Sequence, residues 1–366
     1  MERILPVKPK RIVIKVGTGI LTFRGYRLNK AWVKKLAAQI AVLINRNIEV
    51  ILVSSGAIGA GMGMLKLSLR PKQLRRLQAA AAVGQGQLMK IYDTIFKTHG
   101  LLTAQILLTR EDLSNRKRYL NAKNTLFTLL ACKVIPVINE NDTVSVDEIK
   151  FGDNDKLSAL VANFAHADLL VILTDVEGLY AKKSLVSVVK KVSPEIEKLA
   201  AKTTSLMGTG GMASKLEAAK VCCASGIACI VANGKAPDVL FKILDGRKIG
   251  TLFLPKKEGL AAKKRWIGFS AKIMGQIFVD KGAVCALTSR KGSLLPKGIV
   301  KLHGRFAAGD TVSILDTQNQ EFARGLTNYS SEEVTKIKGQ KTDRIKATLG
   351  YKYYDEVVHR DNMVIL

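Results

Sequence analysis

The sequence has few of the features that mark secreted, metal-binding and membrane proteins. Its five cysteines are an odd number without metal-ligand spacing, which argues against a disulfide framework and predicts free, mostly buried thiols in a reducing cytoplasm. No apolar run approaches the ~18–20 residues of a membrane span, and the N-terminal stretch MERILPVKPK lacks the apolar core of a signal peptide. We therefore expect a cytoplasmic protein with no membrane partner.

Acidic residues are also scarce, because the 366-residue chain has 30 of them against 58 lysines and arginines, a net charge of +28. Such an excess suggests an acidic partner such as nucleic acid. The charge is spread evenly, however: residues 1–255 carry 38 basic and 19 acidic side chains, and residues 256–366 carry 20 and 11. A dedicated nucleic-acid surface should concentrate its charge, so the pattern favours a generally basic globular protein.

Several catalytic motifs are missing. The four histidines are isolated, and no nucleophile–base arrangement is visible. The first glycine turn reads GTGILT and the next apolar run ends in Ser54-Ser55, which together exclude a dinucleotide-binding fingerprint. The stretch GTGGMASK (208–215) is not a Walker A loop, because serine precedes lysine and a polar segment stands where a strand should be. EF-hand order is absent as well, so calcium is not expected.

What is present over the first 255 residues is an alternation of short apolar runs with amphipathic stretches. Continuous apolar runs are typical of strands buried on both faces, and their alternation with helices predicts an α/β domain with a mostly parallel sheet. Between the first two runs, apolar residues recur at helical spacing behind Asn29, a predicted N-cap. The runs occupy residues 11–17, 48–55, 101–108, 133–139, 168–174 and 228–232.

A second domain is predicted beyond a charged linker. The stretch PKKEGLAAKKRW (255–266) marks the change in composition, and the segments GQIFVDKGAV, KGIVKLHG, GDTVSILD and EFARGLTNY after it look like short strands between turns. We assign residues 1–255 to a catalytic α/β domain, 256–271 to a linker and 272–366 to a small β-rich domain.

Glycine-rich turns follow three of the predicted strands, where backbone N–H groups favour an anion and where ligands of parallel sheets bind. Lys15 interrupts the first apolar run, so its ammonium either snorkels to solvent or meets an anion. Six of the 30 acids fall between residues 140 and 155, either as helix caps or as a site for a cation or an ammonium group. From these residues alone, GTGGMASK is as well explained by a flexible connection as by a phosphate-binding loop.

The motifs taken together are more specific. VIKVGTGIL, LVSSGAIGAG, AAVGQGQLM, VIPVINENDTV, FGDNDKLSALVA, LTDVEGLY and GTGGMASKLEAAK resemble glutamate 5-kinases of the amino acid kinase family. KGSLLPKGIVKLHGRFAAGD and VVHRDNM resemble the PUA domain that many of these enzymes carry. The resemblance implies a three-layer αβα fold and, with ATP and Mg²⁺, phosphorylation of the L-glutamate side-chain carboxylate as the first step to proline.

The resemblance also assigns roles to residues. It implies that Lys15 and Lys215 neutralise the transferring phosphoryl and that Asp155 holds the two lysines. Glutamate would be bound by Ser55, Asp142 and Asn154. Mg²⁺ would be carried by ATP, with no protein metal site. The nucleotide would be bound by Lys15, Thr174, Asp175, Thr209, Gly210, Gly211, Met212, Ala213, Ser214 and Lys215.

Regulation and assembly follow from the same resemblance. It implies inhibition by proline, a homodimer or homotetramer, and transfer of the labile product to the following glutamyl-phosphate reductase. The segment after Tyr180 is several residues shorter than the family pattern, which leaves the adenine contacts open. Two alternatives remain: a kinase of the same fold acting on another carboxylate, and an RNA-binding protein that acts through the PUA-like domain.

Overall fold

The computed structural model describes residues 5–6, 8–23, 27–144, 153–201, 211–256 and 262–366. Contacts divide the chain into two compact units, Met1–Asp112 with Lys117–Gly259, and Leu113–Arg116 with Leu260–Leu366. This division lies near the linker predicted at residues 256–271, of which residues 257–261 fall outside the described part. The exact boundaries of the domains remain a prediction.

The first unit is built on an eight-stranded sheet in the order β3-β4-β2-β1-β5-β9-β10-β8. Its strands pair in parallel except for β10 with β9. All six predicted runs are strands of this sheet. The strands of the first unit are β1 (Arg11–Val16), β2 (Glu49–Ser54), β3 (Thr103–Leu108), β4 (Ile135–Glu140), β5 (Leu169–Thr174), β6 (Tyr180–Ala181), β7 (Ser184–Leu185), β8 (Val188–Val189), β9 (Ala228–Asn233) and β10 (Thr251–Phe253).

Helices cover both faces of this sheet, so the predicted three-layer α/β architecture is confirmed. Helices α2, α4 and α10 pack with strand residues such as Ile12 and Ile14 in one core, while α7 and α9 contact the other face. Asn29 caps α2 as predicted, accepting a hydrogen bond from the Trp32 N–H at 3.0 Å. The helices are α1 (Thr18–Leu21), α2 (Lys30–Asn45), α3 (Ala57–Met64), α4 (Leu74–Lys97), α5 (Arg110–Ser114), α6 (Arg116–Ala131), α7 (Asp153–Phe164), α8 (Pro194–Ala201), α9 (Met212–Ala224) and α10 (Val239–Leu244).

The second unit contains a five-stranded, mostly antiparallel sheet in the order β12-β11-β13-β14-β15. A β-rich domain was predicted and is confirmed, with one correction: KGAV was included in a strand, but the strand ends at Val279 and Asp280 caps a helix. The elements are α11 (Ala262–Arg265), a π-helical turn (Trp266–Ser270), β11 (Ile273–Val279), α12 (Lys281–Thr288), β12 (Ile299–His303), β13 (Thr311–Leu315), β14 (Glu321–Thr327), α13 (Ser331–Ile337), α14 (Ile345–Leu349) and β15 (Val358–Ile365), with 3₁₀ turns at Pro296–Gly298 and Thr342–Arg344.

The cysteines depart in part from expectation. All five are free, as predicted. Only Cys222 and Cys229 are buried, whereas Cys223 is half-buried and Cys132 and Cys285 are exposed, so the expectation of mostly buried thiols was wrong.

Candidate active site

Three charged side chains meet inside the first unit. Asp155 Oδ1 lies 2.6 Å from Lys15 Nζ, and Asp155 Oδ2 lies 3.1 Å from Lys215 Nζ. All three are buried: Lys15 is 6% exposed, Lys215 5% and Asp155 1%. The alternative in which Lys15 snorkels to solvent was therefore wrong, because its ammonium meets a buried carboxylate.

The secondary structure explains why these residues meet. Side chains alternate along a strand, so Ile14 and Val16 face the core formed with α2 and α4, while Lys15 faces the opposite layer. That layer contains α7, which contacts β1 and carries Asp155 in its first turn. Lys215 lies in the first turn of α9, where the Ser214 hydroxyl donates to Asp155 Oδ2 at 2.7 Å.

The electrostatics of the cluster favour an added anion. Burial raises the pKa of the Asp155 carboxyl, but the charges of Lys15 and Lys215 and the hydrogen bonds outweigh it, so that its pKa lies below the ordinary value. Burial lowers the pKa of Lys215, as does repulsion from Lys15, while Asp155 and Asp175 act in the opposite direction. Two ammonium groups and one carboxylate sum to one buried positive charge, which a phosphate oxygen placed beside them would balance.

A tight glycine turn lies beside the cluster. A Cβ atom at Gly17 would come within 3.2 Å of the Leu173 carbonyl oxygen and 3.7 Å of Lys15 Nζ. At Gly19 a Cβ atom would come within 3.2 Å of Asp175 Oδ2. Glycine thus allows the turn after β1 to approach the end of β5, where Thr174 Oγ1 donates to Asp175 Oδ1 at 3.1 Å.

The loop predicted to cover the phosphates is only partly described. Gly211 is the N-cap of α9, Met212 is buried, and Ser214 also donates to the Gly211 carbonyl at 2.9 Å. Ala213 is exposed in the first turn of the helix. Thr209 and Gly210 lie outside the described residues. The assignment of this loop to the nucleotide therefore stays a prediction.

The short segment after Tyr180 forms a small hairpin. Strands β6 and β7 pair in an antiparallel manner, with Tyr180 opposite Leu185 and Ala181 opposite Ser184. Lys182 in the connecting turn has a φ of 56°, in the left-handed region. A two-residue turn accounts for how the chain reverses direction within so few residues.

A second cluster, of neutral polar groups, lies at the ends of β2 and β4. Asn154 Nδ2 donates to Ser55 Oγ at 3.0 Å and to Asn139 Oδ1 at 3.1 Å, with a longer contact of 3.4 Å to the Ser54 carbonyl. The Ser54 hydroxyl in turn contacts the Tyr92 hydroxyl at 2.9 Å, and burial raises the pKa of Tyr92 to about 12, with the Ser54 hydrogen bond acting in the opposite direction. The predicted residues Ser55 and Asn154 are thus in direct contact.

This polar cluster borders a cavity of about 300 Å³. Asp142, the third residue predicted to bind the substrate, lines this cavity together with Glu140, the chain neighbour of Asn139, and Ala57, two residues after Ser55. The lining residues are Ala57, Ala81, Ala82, Gln85, Gly86, Gln105, Leu107, Glu140, Asn141, Asp142 and Thr143.

Two residues of this region were missed from the sequence, Asn139 and Gln85. Asn139 Nδ2 donates to Gln85 Oε1 at 2.8 Å, which links β4 to α4. Gln85 belongs to AAVGQGQLM, which served only to support the resemblance. Its position four residues after buried Ala81 placed an amide on the apolar stripe of a helix, a signal that could have identified it.

No protein-built metal site is visible among the residues that the structure describes, since no three histidine, cysteine or acidic side chains come together there. Both carboxylate oxygens of Asp155 are engaged by lysines and by Ser214. These contacts fit a magnesium ion that is held by ATP phosphates rather than by this carboxylate.

Comparison with known proteins agrees with this architecture. Residues 10–233 match the model of the amino acid kinase family. Glutamate 5-kinase of Caldanaerobacter subterraneus subsp. tengcongensis is 55% identical over 97% of this chain and 98% of its own length. The chain belongs to the glutamate 5-kinase branch of the amino acid kinase family. Other members are the glutamate 5-kinases of Thermoanaerobacter sp. (strain X514), 53% identical over 97% of this chain and 98% of its own length, and of Citrifermentans bemidjiense, 49% identical over the full length of both.

The family assignment confirms three predictions: the family itself, the fold class and an enzyme that is a kinase. The C-terminal part is a PUA domain, with residues 275–349 matching its model. Among the residues that the structure describes, no helix combines the length and the apolar character needed to cross a bilayer.

Proposed function

We propose that this kinase transfers the γ-phosphoryl group of ATP to the side-chain carboxylate of L-glutamate, giving L-glutamyl 5-phosphate and ADP, the first step of proline biosynthesis. The observation that carries the proposal is the buried Lys15–Asp155–Lys215 cluster. It lies in a chain whose relatives at about half identity are named glutamate 5-kinases over nearly their whole length. Free thiols fit a reducing cytoplasm as its compartment.

The reaction needs little covalent help from the protein. An oxygen of the substrate carboxylate forms a bond to the γ-phosphorus while the bond from that phosphorus to the β,γ-bridging oxygen breaks, and ADP leaves with the electron pair. A side-chain carboxylate is already ionised near pH 7, so no general base is required. Catalysis then rests on alignment and on positive charge near the transferring group.

Lys15 and Lys215 supply that charge under this proposal. Their ammonium groups are held by opposite oxygens of one carboxylate, so Asp155 sets their separation without taking part in bond making. Because the three groups are buried, their positions do not have to be reorganised from solvent during the reaction. The Mg²⁺ carried by ATP adds further positive charge at the phosphates.

We assign the polar cluster to glutamate binding. Asn154 Nδ2 donates to Ser55 Oγ and Asn139 Oδ1. Its Oδ1, a buried atom without a hydrogen-bond partner among the described residues, is thereby available to accept from the substrate ammonium. Asp142 on the cavity wall supplies a negative charge for the same group. Thr174 and Asp175 stand at the nucleotide side, together with Gly211 to Lys215.

Regulation and assembly extend the proposal. Proline resembles glutamate in its ammonium and α-carboxylate but lacks the reacting carboxylate, so it can occupy the glutamate site without being phosphorylated. We expect a homodimer or homotetramer. An acyl phosphate hydrolyses readily, so we also expect delivery to the reductase that consumes it.

The test is ADP formation from Mg²⁺-ATP and L-glutamate, with hydroxylamine present to trap the acyl phosphate as a hydroxamate. We expect hydroxamate that depends on glutamate and is suppressed by proline. Aspartate and N-acetylglutamate serve as competing carboxylate substrates. Hydroxamate formed from one of these and not from glutamate would contradict the proposed substrate while keeping the phosphoryl-transfer site.

A further inference from the structure

Gln85 has a buried side-chain amide, and one polar atom of this amide has no hydrogen-bond partner among the described residues. It lies in α4, is 9% exposed and lines the cavity that also contains Asp142. Its Nε2 is fully buried and has no hydrogen-bond partner among the described residues. Leaving a buried donor unpaired is unfavourable. A ligand that accepts this hydrogen bond would remove the cost.

Close helix packing places Gln85 at this position. A Cβ atom at Gly84 would come within 1.8 Å of the Ala57 carbonyl oxygen, and one at Gly61 within 1.7 Å of the Ala80 carbonyl oxygen. Helices α3 and α4 therefore touch backbone to backbone just before Gln85. This close contact places the side chain of Gln85 beside the carboxyl end of β4, where it meets Asn139.

The orientation of the Gln85 side-chain amide follows from a nearby group that can only donate a hydrogen bond. The Glu140 backbone N–H can only donate, and it donates to Asn139 Oδ1 at 2.9 Å. Asn139 must therefore present Nδ2 to Gln85, which accepts with Oε1 at 2.8 Å. The amide nitrogen of Gln85 cannot accept the hydrogen bond from Asn139, so Oε1 must face Asn139. The atom of Gln85 that is left without a partner among the described residues is therefore Nε2, which is a donor. The unpaired Nε2 of Gln85 therefore requires a hydrogen-bond acceptor on the ligand.

The same logic identifies which part of the substrate this acceptor belongs to. Gln85 is separated from the charged cluster by two hydrogen-bonded amides, since it contacts Asn139, Asn139 contacts Asn154, and Asn154 is the chain neighbour of Asp155. The carboxylate that reacts must lie beside Lys15 and the phosphoryl group. An acceptor at Gln85 therefore belongs to the other end of the substrate.

We propose that Gln85 Nε2 donates a hydrogen bond to the α-carboxylate of bound glutamate, which makes Gln85 a substrate-binding and specificity residue. The inference rests on the proposed function. It pairs a fixed donor at Gln85 with a fixed acceptor at Asn154 Oδ1, so the site distinguishes the α-carboxylate from the α-ammonium by the polarity of two amides.

The test compares Gln85→Met, which removes both amide atoms, with Gln85→Glu, which keeps the acceptor toward Asn139 and replaces only the donor. Gln87→Glu is the matched control, because Gln87 lies on the same helix and does not line the cavity. We expect the KM for L-glutamate to rise at least about tenfold in both Gln85 variants, as for loss of a hydrogen bond to a charged group. The KM for ATP should stay within twofold, and the control should match the wild type.

A substrate analogue separates a direct contact from a structural effect. 4-Aminobutyrate is glutamate without its α-carboxylate, and it can be used as a competitive inhibitor. Its inhibition constant should change less than threefold between the wild type and Gln85→Met, because it lacks the group that Gln85 contacts. An equal loss for glutamate and for 4-aminobutyrate would overturn the inference.

The remaining outcomes distinguish this inference from the proposed function. An active wild type whose glutamate KM is unchanged in both Gln85 variants would overturn the role of Gln85 and leave the proposed function intact. A wild type that produces no hydroxamate from glutamate would overturn both. Circular dichroism and thermal unfolding of each variant verify that the compared proteins are folded.

Discussion

The two ends of the candidate site are built from different chemistry. The charged end consists of Lys15, Asp155 and Lys215, in which the Asp155 carboxylate lies 2.6 Å from the Lys15 ammonium and 3.1 Å from the Lys215 ammonium. The amide end is the mostly neutral cluster of amides and hydroxyls around Asn154, with Asp142 on the adjoining cavity wall. Charge stabilises a transition state in which negative charge moves between oxygens. Amides with a fixed direction instead distinguish donors from acceptors on a substrate. We therefore propose that rate and selectivity are assigned to separate groups of residues.

The largest effect should come from the charged end. In Lys215→Ala, kcat should fall by about 10²–10³-fold, the range for removal of one charge-stabilising group, with little change in the glutamate KM. Lys220→Ala is the control, because that lysine lies on the same helix but is exposed and pairs with Glu197. Steady-state kinetics measures both variants. A near-normal kcat in Lys215→Ala would break the assignment of rate to this end.

At the amide end we expect a smaller effect, which falls on the KM for glutamate rather than on kcat. Asn154→Ala should raise the glutamate KM by about tenfold or more, since it removes a buried acceptor and the contacts to Ser55 and Asn139. Asp142→Ala should act in the same direction. The ATP KM serves as the internal reference in initial-rate measurements. If both Michaelis constants rose equally, the two ends would not be separate in function.

The amide end also depends on how closely α3 and α4 approach. Gly84→Ala should lower the free energy of unfolding by about 1–3 kcal/mol, because the added methyl group would overlap the Ala57 carbonyl. Gly86→Ala, two residues later, meets nothing within 4 Å and should raise it by about 0.5–1 kcal/mol. Urea unfolding compares the two. Equal effects of both substitutions would show that the helix contact does not constrain this end.

The smallest expected effect is a shift in a pH profile. Burial lowers the pKa of Lys215 below the ordinary value for lysine, so its charge is lost earlier as pH rises. We expect kcat/KM for ATP, which reports the free enzyme, to decline on the alkaline side with an apparent pKa below the ordinary value for lysine. Lys215→Arg keeps its charge throughout this range, so any activity it retains should decline later. A decline at the same pH in both proteins would assign the titration to another group.

Much of the fold could be predicted from the sequence, because buried parallel strands leave continuous apolar runs and all six runs became strands of one sheet. Lys15 could also be identified, because a charge inside such a run needs a partner. Its partner was not visible from spacing alone, since Asp155 is 140 positions away in the chain and only strand alternation and α7 bring them together. The resemblance, not the spacing, supplied that pairing.

The amide end was harder to predict for a physical reason. Gln85 and Asn139 are neutral, so their burial breaks no charge rule that a sequence pattern reveals. Their role depends on the direction of two side-chain amides, which is fixed by the backbone N–H of Glu140. Similarly, from the sequence alone Gly84 is only a residue that weakens a helix. The structure gives the reason for glycine, because the Ala57 carbonyl packs directly against this position.

We infer that the charged end determines rate and the amide end determines glutamate binding. Calorimetric titration of L-glutamate into Lys215→Ala separates binding from rate, because this variant loses one charge beside the transferring phosphoryl group but keeps every described contact of the amide end. We expect a dissociation constant within threefold of that of the wild type, in a variant whose kcat has fallen by about 10²-fold or more. A dissociation constant that rises in parallel with the loss of kcat would contradict it.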